Sequence, residues 1–174
     1  MRYLHGTATR DLNFRFKTTS DIQLHLYTDA SFADSKGYKS TSGILKRLND
    51  FTIVFKSKIQ PLVATSTFES ELISLYTGFL YLEHICGILE ELRITFLPPI
   101  AFCDTEADVK CLSSDQNPRR KHLGVRYHKL KEAVDNKKLT IKWIFTEENL
   151  ADVYTKSLPA ARFNALTQVI TNDF

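Results

Sequence analysis

The chain has 174 residues, which suits one domain and leaves little room for two. Hydrophobic residues make up 43% and charged residues 25% of the sequence, near the averages of globular proteins, which argues against a disordered or fibrous chain. The formal net charge of +3 is compatible with a polyanionic partner but is too small to indicate one. No apolar run approaches the roughly 20 residues that span a bilayer, so we expect an intracellular protein with no membrane partner.

The first half of the chain predicts three strands followed by a long helix. The strands are predicted over 22–28, 42–48 and 51–58, where apolar and polar residues alternate between turn residues. Beyond Ser66, apolar residues recur at spacings of three and four, which predicts an amphipathic helix that fades near Arg93. Ser66 or Thr67 caps its start, with Glu69 and Glu71 in the first turns.

The second half predicts alternating strands and helices. The predicted elements are a buried strand over 100–103, a short helix over 105–113, a basic loop over 113–122, a helix over 125–136, a strand over 139–145 and a final helix from about Leu150 that breaks at Pro159 and resumes through 160–169. Three antiparallel strands followed by crossover strands give a five-stranded mixed sheet. We therefore predict an α/β domain with helices on both faces of the sheet.

Four carboxylates stand at the ends of these elements. Asp29 ends the first strand, Glu71 lies in the first turns of the long helix, Asp104 ends the fourth strand and Asp152 begins the last helix. Strand ends and helix starts are where α/β sheets place their sites. Clustered carboxylates repel one another unless a proton or a cation compensates them, and oxygen ligands suit Mg²⁺ or Mn²⁺. Two such ions support phosphodiester hydrolysis.

Each of these acids also has an ordinary structural explanation. Asp29 could form a turn, Glu71 could complement the helix dipole, Asp104 could cap the next helix and Asp152 could be a first-turn acid. Taken singly, most of them fit that explanation. Their joint placement is what suggests a site.

Six motifs in order make the sequence recognisable. They are YTDAS (27–31), KSTSG (39–43), ATSTFESELISL (64–75), FCDTEA (102–107), KHLGVRYHKLKE (121–132) and LADVYTKSLP (150–159). Together they resemble the ribonuclease H domain of Ty/copia-type long-terminal-repeat retrotransposon polyproteins. The opening RYLHGT (2–7) resembles the segment that joins the reverse transcriptase to that domain. The resemblance thus implies a connection segment over 1–20, a ribonuclease H domain over 21–174 and an RNase H-like fold.

The resemblance also implies an activity and its residues. The family is a metal-dependent endonuclease that degrades the RNA strand of RNA:DNA hybrids during reverse transcription, with two Mg²⁺ or Mn²⁺ ions. Asp29, Glu71, Asp104 and Asp152 match its four catalytic and metal-binding acids, and Glu69 is the reserve choice for the glutamate. The implied partners are an RNA:DNA hybrid and the reverse transcriptase of the same polyprotein. The implied location is intracellular: the cytoplasm, in virus-like particles, or the nucleus.

Substrate contacts are suggested by position alone. Cleaving only RNA requires sensing of the 2′-OH, for which the hydroxyls of Ser31, Ser66, Thr67 and Thr105 are candidates. The cations that could hold phosphate are Arg119, Arg120, Lys121 and Arg126, with Lys56 and Lys58 as further choices. A solvated charged face explains these cations equally well.

Two other functions remain open. A non-catalytic, domesticated module could keep the fold in order to bind nucleic acid or a protein partner. A nuclease of the same fold could act on DNA junctions, which fits the complete set of copia-type motifs less well. Metal-dependent cleavage distinguishes the first of these from the ribonuclease.

Overall fold

The structure, a computed structural model, describes residues 21–113 and 124–171. Its strands are β1 (Ile22–Ser35), β2 (Lys39–Leu48), β3 (Phe51–Ile59), β4 (Phe96–Cys103) and β5 (Thr140–Trp143). Its helices are α1 (Thr67–Glu91), α2 (Glu106–Ser113), α3 (Gly124–Asp135) and α4 (Ala160–Thr171), with 3₁₀ turns over Thr146–Glu148 and Leu150–Tyr154. The predicted connection segment (1–20) and the cations Arg119, Arg120 and Lys121 lie outside the described residues.

The five strands form one mixed sheet in the order β3-β2-β1-β4-β5. β1 pairs antiparallel with β2, as β2 does with β3, whereas β4 runs parallel to both β1 and β5. Tyr27 on β1 lies opposite Phe102 on β4. Asp29 and Asp104 each follow two residues later, so the sheet carries both carboxylates to the same edge. The predicted mixed sheet is confirmed.

Helices cover both faces of the sheet, as expected. Neighbouring residues of β2 point to opposite faces, since side chains alternate along a strand. Ile44 belongs to the larger core, which contains residues of α1, α2 and α3. Leu45 packs on the other face with Leu166 and Ile170 of α4.

Within the described residues, α1 is the helix long and apolar enough to cross a membrane by length and composition, with a mean hydropathy of 1.5 over 18 residues. Its apolar residues Leu72, Leu75, Phe79 and Leu82 are buried in the core that contains Leu24 and Leu26 of β1. Gly78 permits this packing, because a Cβ there would lie 2.8 Å from Leu26 Cδ1. We therefore interpret α1 as the central core helix.

Two elements differ from the predictions. β4 begins at Phe96 rather than at residue 100, because Pro98 and Pro99 are absorbed at an irregularity in its pairing with β1, where missing N–H donors are tolerated. The final helix does not begin at Leu150: Leu150–Tyr154 is a 3₁₀ turn, and the α-helix starts after Pro159. The remaining differences are shifts of element ends, such as a longer β1 and a shorter β5.

Candidate metal centre

Three of the four predicted acids meet beside the carboxyl end of β4. The expectation that Asp29 ends the first strand is wrong, because β1 continues to Ser35 and Asp29 is still paired with Gly43 of β2. Asp29, Glu71 and Asp104 each place one carboxylate oxygen so that all three oxygens lie within 4.8 Å of one another. Asp29 and Glu71 are buried, with 1% and 8% of their surface exposed, whereas Asp104 is half-buried. The three carboxylates therefore form a cluster that is accessible to solvent at Asp104.

The start of α1 orients Glu71 towards this cluster. Ser66 caps the helix by accepting a hydrogen bond from the Glu69 backbone N–H (3.1 Å). Glu69 in turn accepts hydrogen bonds of 2.7 Å from the backbone N–H and the hydroxyl of Thr65. Glu71 instead accepts a hydrogen bond of 3.2 Å from the backbone N–H of Ala30, next to Asp29. Glu69 thus serves the helix cap, and Glu71 is the glutamate at the cluster.

Asp29 is fixed at both its backbone and its side chain. The Ser74 hydroxyl, one turn along α1 from Glu71, donates to the Asp29 carbonyl at 2.9 Å. The Thr155 hydroxyl donates to Asp29 Oδ2. The same carboxylate accepts a hydrogen bond from Lys156 Nζ to Oδ1 at 3.0 Å. Because of these contacts, the Asp29 carboxylate is held in one orientation.

The fourth acid, Asp152, has a different environment. It is fully buried, outside the group of three carboxylates. Its Oδ1 accepts from Lys156 Nζ at 2.7 Å, and its Oδ2 accepts from Arg162 of α4. Lys156 therefore contacts Asp29 and Asp152 at once, and both oxygens of Asp152 have cationic partners.

The pKa values of Asp152 and Lys156 are both raised, for different reasons. Burial raises the pKa of Asp152, as does the Asp29 charge, against the hydrogen bond from Lys156 and the Arg162 charge. Burial lowers the pKa of Lys156, but its contacts with Asp152 and Asp29 outweigh this and raise that pKa above its usual range. Lys156 is therefore a firmly protonated cation between two carboxylates.

Two residues hold the Leu150–Tyr154 turn against the sheet. Asn149 is fully buried; its side-chain amide donates to the Thr28 carbonyl at 2.9 Å, and its Oδ1 accepts from the Ala151 N–H at 3.1 Å. Gly43 of β2 leaves room for the turn, because a Cβ there would lie 2.7 Å from the Ala151 carbonyl oxygen and from Thr155 Cγ2. These contacts set the position of Asp152 and Lys156 relative to Asp29.

Three residues of this region have no role predicted from the sequence. Asn149, Thr155 and Lys156 lie in or beside the motif LADVYTKSLP, and Lys156 follows Asp152 by one helical turn. From this i, i+4 spacing, the ion pair between Lys156 and Asp152 could have been predicted. The contact between Lys156 and Asp29, 127 positions away, depends on the fold.

An aromatic pair lies beside Asp104. The indole N–H of Trp143, at the end of β5, donates to the Asp104 backbone carbonyl at 3.1 Å. The rings of Trp143 and Phe145 pack edge to face with centroids 4.5 Å apart, and both are partly exposed. Asp104 is thus supported from β5 as well as from its own strand.

The predicted substrate contacts are more scattered. Ser66 and Thr67 are exposed at the start of α1, and Ser31, Thr105 and Arg126 are half-buried. Lys56 of β3 donates to the Tyr81 hydroxyl of α1 and lies 4.5 Å from the centre of its ring. Their contact with a substrate stays a prediction.

The group of three acids fits a divalent cation. Three carboxylates at this separation repel one another strongly when ionised, and a hard cation with oxygen ligands relieves that repulsion. The donor set contains no sulfur or imidazole, which favours Mg²⁺ or Mn²⁺ over zinc. A metal site typical of a nuclease is therefore consistent with this geometry.

Comparisons with known proteins agree with the sequence motifs. No protein-family profile matches the chain. It is 33% identical over 173 residues to the retrovirus-related Pol polyprotein from transposon RE2 of Arabidopsis thaliana, and 33% over 172 residues to that from transposon TNT 1-94 of Nicotiana tabacum. Each match covers 98% of the chain. The chain is an RNase H-like domain that matches Ty1/copia-type retrotransposon Pol polyproteins. It spans only 12% and 13% of the length of these two relatives.

Solved structures show the same fold. The RNase H-like domain superposes on the N-terminal RNase H domain of rv2228c from Mycobacterium tuberculosis with a TM-score of 0.56 at 14% identity, covering 85% of this chain and 98% of that one. It superposes on LC11-RNase H1 in complex with RNA/DNA hybrid with a TM-score of 0.54 at 15% identity, covering 72% and 88%. At these identities the likeness establishes the fold alone.

Proposed function

We propose that this RNase H-like domain is a metal-dependent endonuclease that hydrolyses the RNA strand of RNA:DNA hybrids during retrotransposon reverse transcription. The cluster of Asp29, Glu71 and Asp104 carries the proposal, because it gathers three acids of the expected motifs around one point. A divalent ion bound there would lower the pKa of a water molecule and stabilise negative charge on the scissile phosphate.

The chain's own residues have distinct parts in this proposal. Asp29 is the central ligand, held in one orientation by Thr155 and Lys156. Glu71 and Asp104 complete the ligand set from α1 and from the end of β4. Asp104 is the more exposed of the three, so the phosphate approaches from its side. Asp152, the fourth of the matched acids, contacts Lys156 and would be a ligand of the second proposed ion.

The hybrid would lie across the edge of the sheet that carries these acids. Thr105 follows Asp104 directly, and Ser66 and Thr67 are at the exposed start of α1, where hydroxyls could contact the 2′-OH. Lys56 and Lys58 lie on the edge strand β3, and Arg126 lies on α3. Contacts of these cations with phosphates would give affinity without base readout, so we expect little sequence preference.

The partners and the location follow from the same proposal. The reverse transcriptase of the same polyprotein would supply the hybrid, since the matched relatives are Pol polyproteins. The domain would then work in the cytoplasm, within virus-like particles, or in the nucleus.

The direct test compares two glutamates of the same helix. The purified chain is incubated with an end-labelled RNA:DNA hybrid, with matched RNA and DNA duplexes, and with Mg²⁺, Mn²⁺ or EDTA. We expect cleavage of RNA in the hybrid alone, abolished by EDTA and by Glu71→Gln but retained by Glu69→Gln. If a folded chain binds hybrid yet never cuts it with either metal, the non-catalytic binding module is the better account.

A further inference from the structure

The position between Asp29 and Asp152 is taken by a side chain. Lys156 Nζ lies 3.0 Å from Asp29 Oδ1 and 2.7 Å from Asp152 Oδ1. Both carboxylates are buried, whereas the Lys156 side chain is 37% exposed. In a mechanism with two ions held by all four acids, a second divalent cation would need carboxylate oxygens from this same pair.

We propose that Lys156 is a built-in cation that competes with a second divalent ion for Asp29 and Asp152. For the first ion, at Asp29, Glu71 and Asp104, this competition rests on the proposed function, and for the second ion it goes beyond it. An ammonium and a divalent cation repel each other at contact distance in a partly buried site, so both cannot hold the same two oxygens. A second ion therefore binds only when Lys156 leaves.

The charges around Lys156 favour its staying in place. Lys156 faces Asp29 and Asp152, and Arg162 is the other charged side chain that contacts Asp152. Arg162 keeps hold of Asp152 Oδ2 and also donates to the Thr146 carbonyl, which fixes the guanidinium. Since Arg162 already contributes one positive charge, Asp152 with Lys156 present is a poor ligand for a divalent ion.

Neutralising Lys156 should therefore open a second metal site. In Lys156→Gln the amide still donates to one carboxylate, but Asp29 and Asp152 lose their shared cation. We expect Mn²⁺ to bind at this pair with an affinity about tenfold or more above that in the unchanged chain, because the substitution removes a competing positive charge from a partly buried site. The unchanged chain should bind one Mn²⁺ well before a second.

The experiment counts bound Mn²⁺ without relying on cleavage. Electron paramagnetic resonance of free Mn²⁺ and titration calorimetry are applied to the unchanged chain, Lys156→Gln, the charge-retaining Lys156→Arg and the distant control Lys129→Gln, whose partner is Glu83. Over the same Mn²⁺ range, we expect a second ion in the neutral variants Lys156→Gln and Lys156→Met but not in the unchanged chain, Lys156→Arg or Lys129→Gln. Adding Asp152→Asn should remove it again. Circular dichroism verifies folding, and Lys156→Met is a second neutral variant that keeps the apolar stem.

Two failures remain distinguishable. If Lys156→Gln and Lys156→Met bind Mn²⁺ with the number and affinity of the unchanged chain, the competition by Lys156 is refuted, whatever the chain cleaves. If the unchanged chain binds no Mn²⁺ and cuts no hybrid, the proposed function fails, but a gain of binding in the neutral variants would still support the role of Lys156.

Discussion

The side-chain amide of Asn149 donates a hydrogen bond to the backbone carbonyl of Thr28, 121 positions earlier, at 2.9 Å. Thr28 directly precedes Asp29, and Asn149 begins the turn that carries Asp152. This contact therefore helps to set the distance between the first and the last acid of the motif series. It also satisfies the Thr28 carbonyl within β1, where an unpaired buried acceptor would be costly.

Replacing Asn149 should loosen this connection. Asn149→Ala removes the donor to Thr28 and the acceptor for the Ala151 N–H, so we expect the free energy of unfolding to fall by about 1–3 kcal/mol. Urea unfolding measures this change. Asn136→Ala, at an exposed position, is the control and should stay within about 0.5 kcal/mol. An equal effect of both variants would contradict the role given to Asn149.

Gly43 is the second constraint on the same turn. Gly43→Ala places a Cβ 2.7 Å from the Ala151 carbonyl oxygen and from Thr155 Cγ2, so the turn must move away from the sheet. We expect a loss of about 1–3 kcal/mol, as for other overpacked sites, together with weaker cleavage because Thr155 no longer reaches Asp29.

Gly87 provides the matched control for that substitution. It lies within α1, and a Cβ there meets no atom within 4 Å. Gly87→Ala should raise the free energy of unfolding by about 0.5–1 kcal/mol, because alanine loses less backbone entropy in a helix. If thermal unfolding shows equal stability for Gly43→Ala and Gly87→Ala, the close approach of the turn at Gly43 does not constrain the sequence at that position.

Lys46 should destabilise the folded chain. Its side chain is fully buried on β2. Among the described residues, Nζ has no hydrogen-bond partner, and its charge faces the ring of Tyr81 at 4.5 Å and the nearby Lys56. Burial, with the Lys56 charge, lowers the pKa of Lys46 to about 8. We expect Lys46→Met to increase stability by about 1–3 kcal/mol at pH 7, while exposed Lys142→Met changes little.

The same lysine predicts a pH dependence. The pKa of Lys46 is lower in the folded chain than its ordinary value of 10.5, so the destabilisation is complete below pH 8 and disappears as the pH rises towards 10.5. The difference in Tm between Lys46→Met and the unchanged chain should therefore shrink between pH 8 and pH 10. A constant difference across that range would contradict the assigned pKa.

Trp143 offers a direct signal for metal binding. It is the single tryptophan of the chain, and its indole N–H donates to the Asp104 carbonyl. Paramagnetic Mn²⁺ bound at the three acids should quench its fluorescence with a saturable dependence on concentration. Asp104→Asn should shift the midpoint to much higher Mn²⁺. Saturable quenching that is unchanged in Asp104→Asn would place the ion elsewhere.

Much of the fold could be predicted from the sequence because its patterns are local. The period of three and four in α1 and the alternation in β1 are set by which face is buried. Asp29 and Asp104 meet because β1 and β4 pair in parallel, although β1 continues past Asp29 to Ser35. The turn at Leu150 was predicted as helix because its residues suit one. Its 3₁₀ form depends on Asn149 and Gly43, which contact partners far away along the chain.

The site was predictable in part for the same reason. Glu71 and Asp104 are found at an element start and an element end, where position in the sequence already indicates a cluster. Lys156 could be assigned to Asp152 from their spacing, but its contact with Asp29 requires the packing of the turn on β1. The sequence therefore predicts the acids better than it predicts which of them have cationic partners.

The most direct test of the account is hybrid cleavage by Asp29→Asn. Asp29 belongs to the cluster of three acids and also contacts Lys156. Its replacement by asparagine keeps the size of the side chain and removes the charge. Asp34→Asn, an exposed change on the same strand, is the control. With Mg²⁺ we expect Asp34→Asn to cut the RNA strand at the rate of the unchanged chain and Asp29→Asn to leave it intact. Undiminished cleavage by a pure Asp29→Asn sample would contradict the assignment of this site.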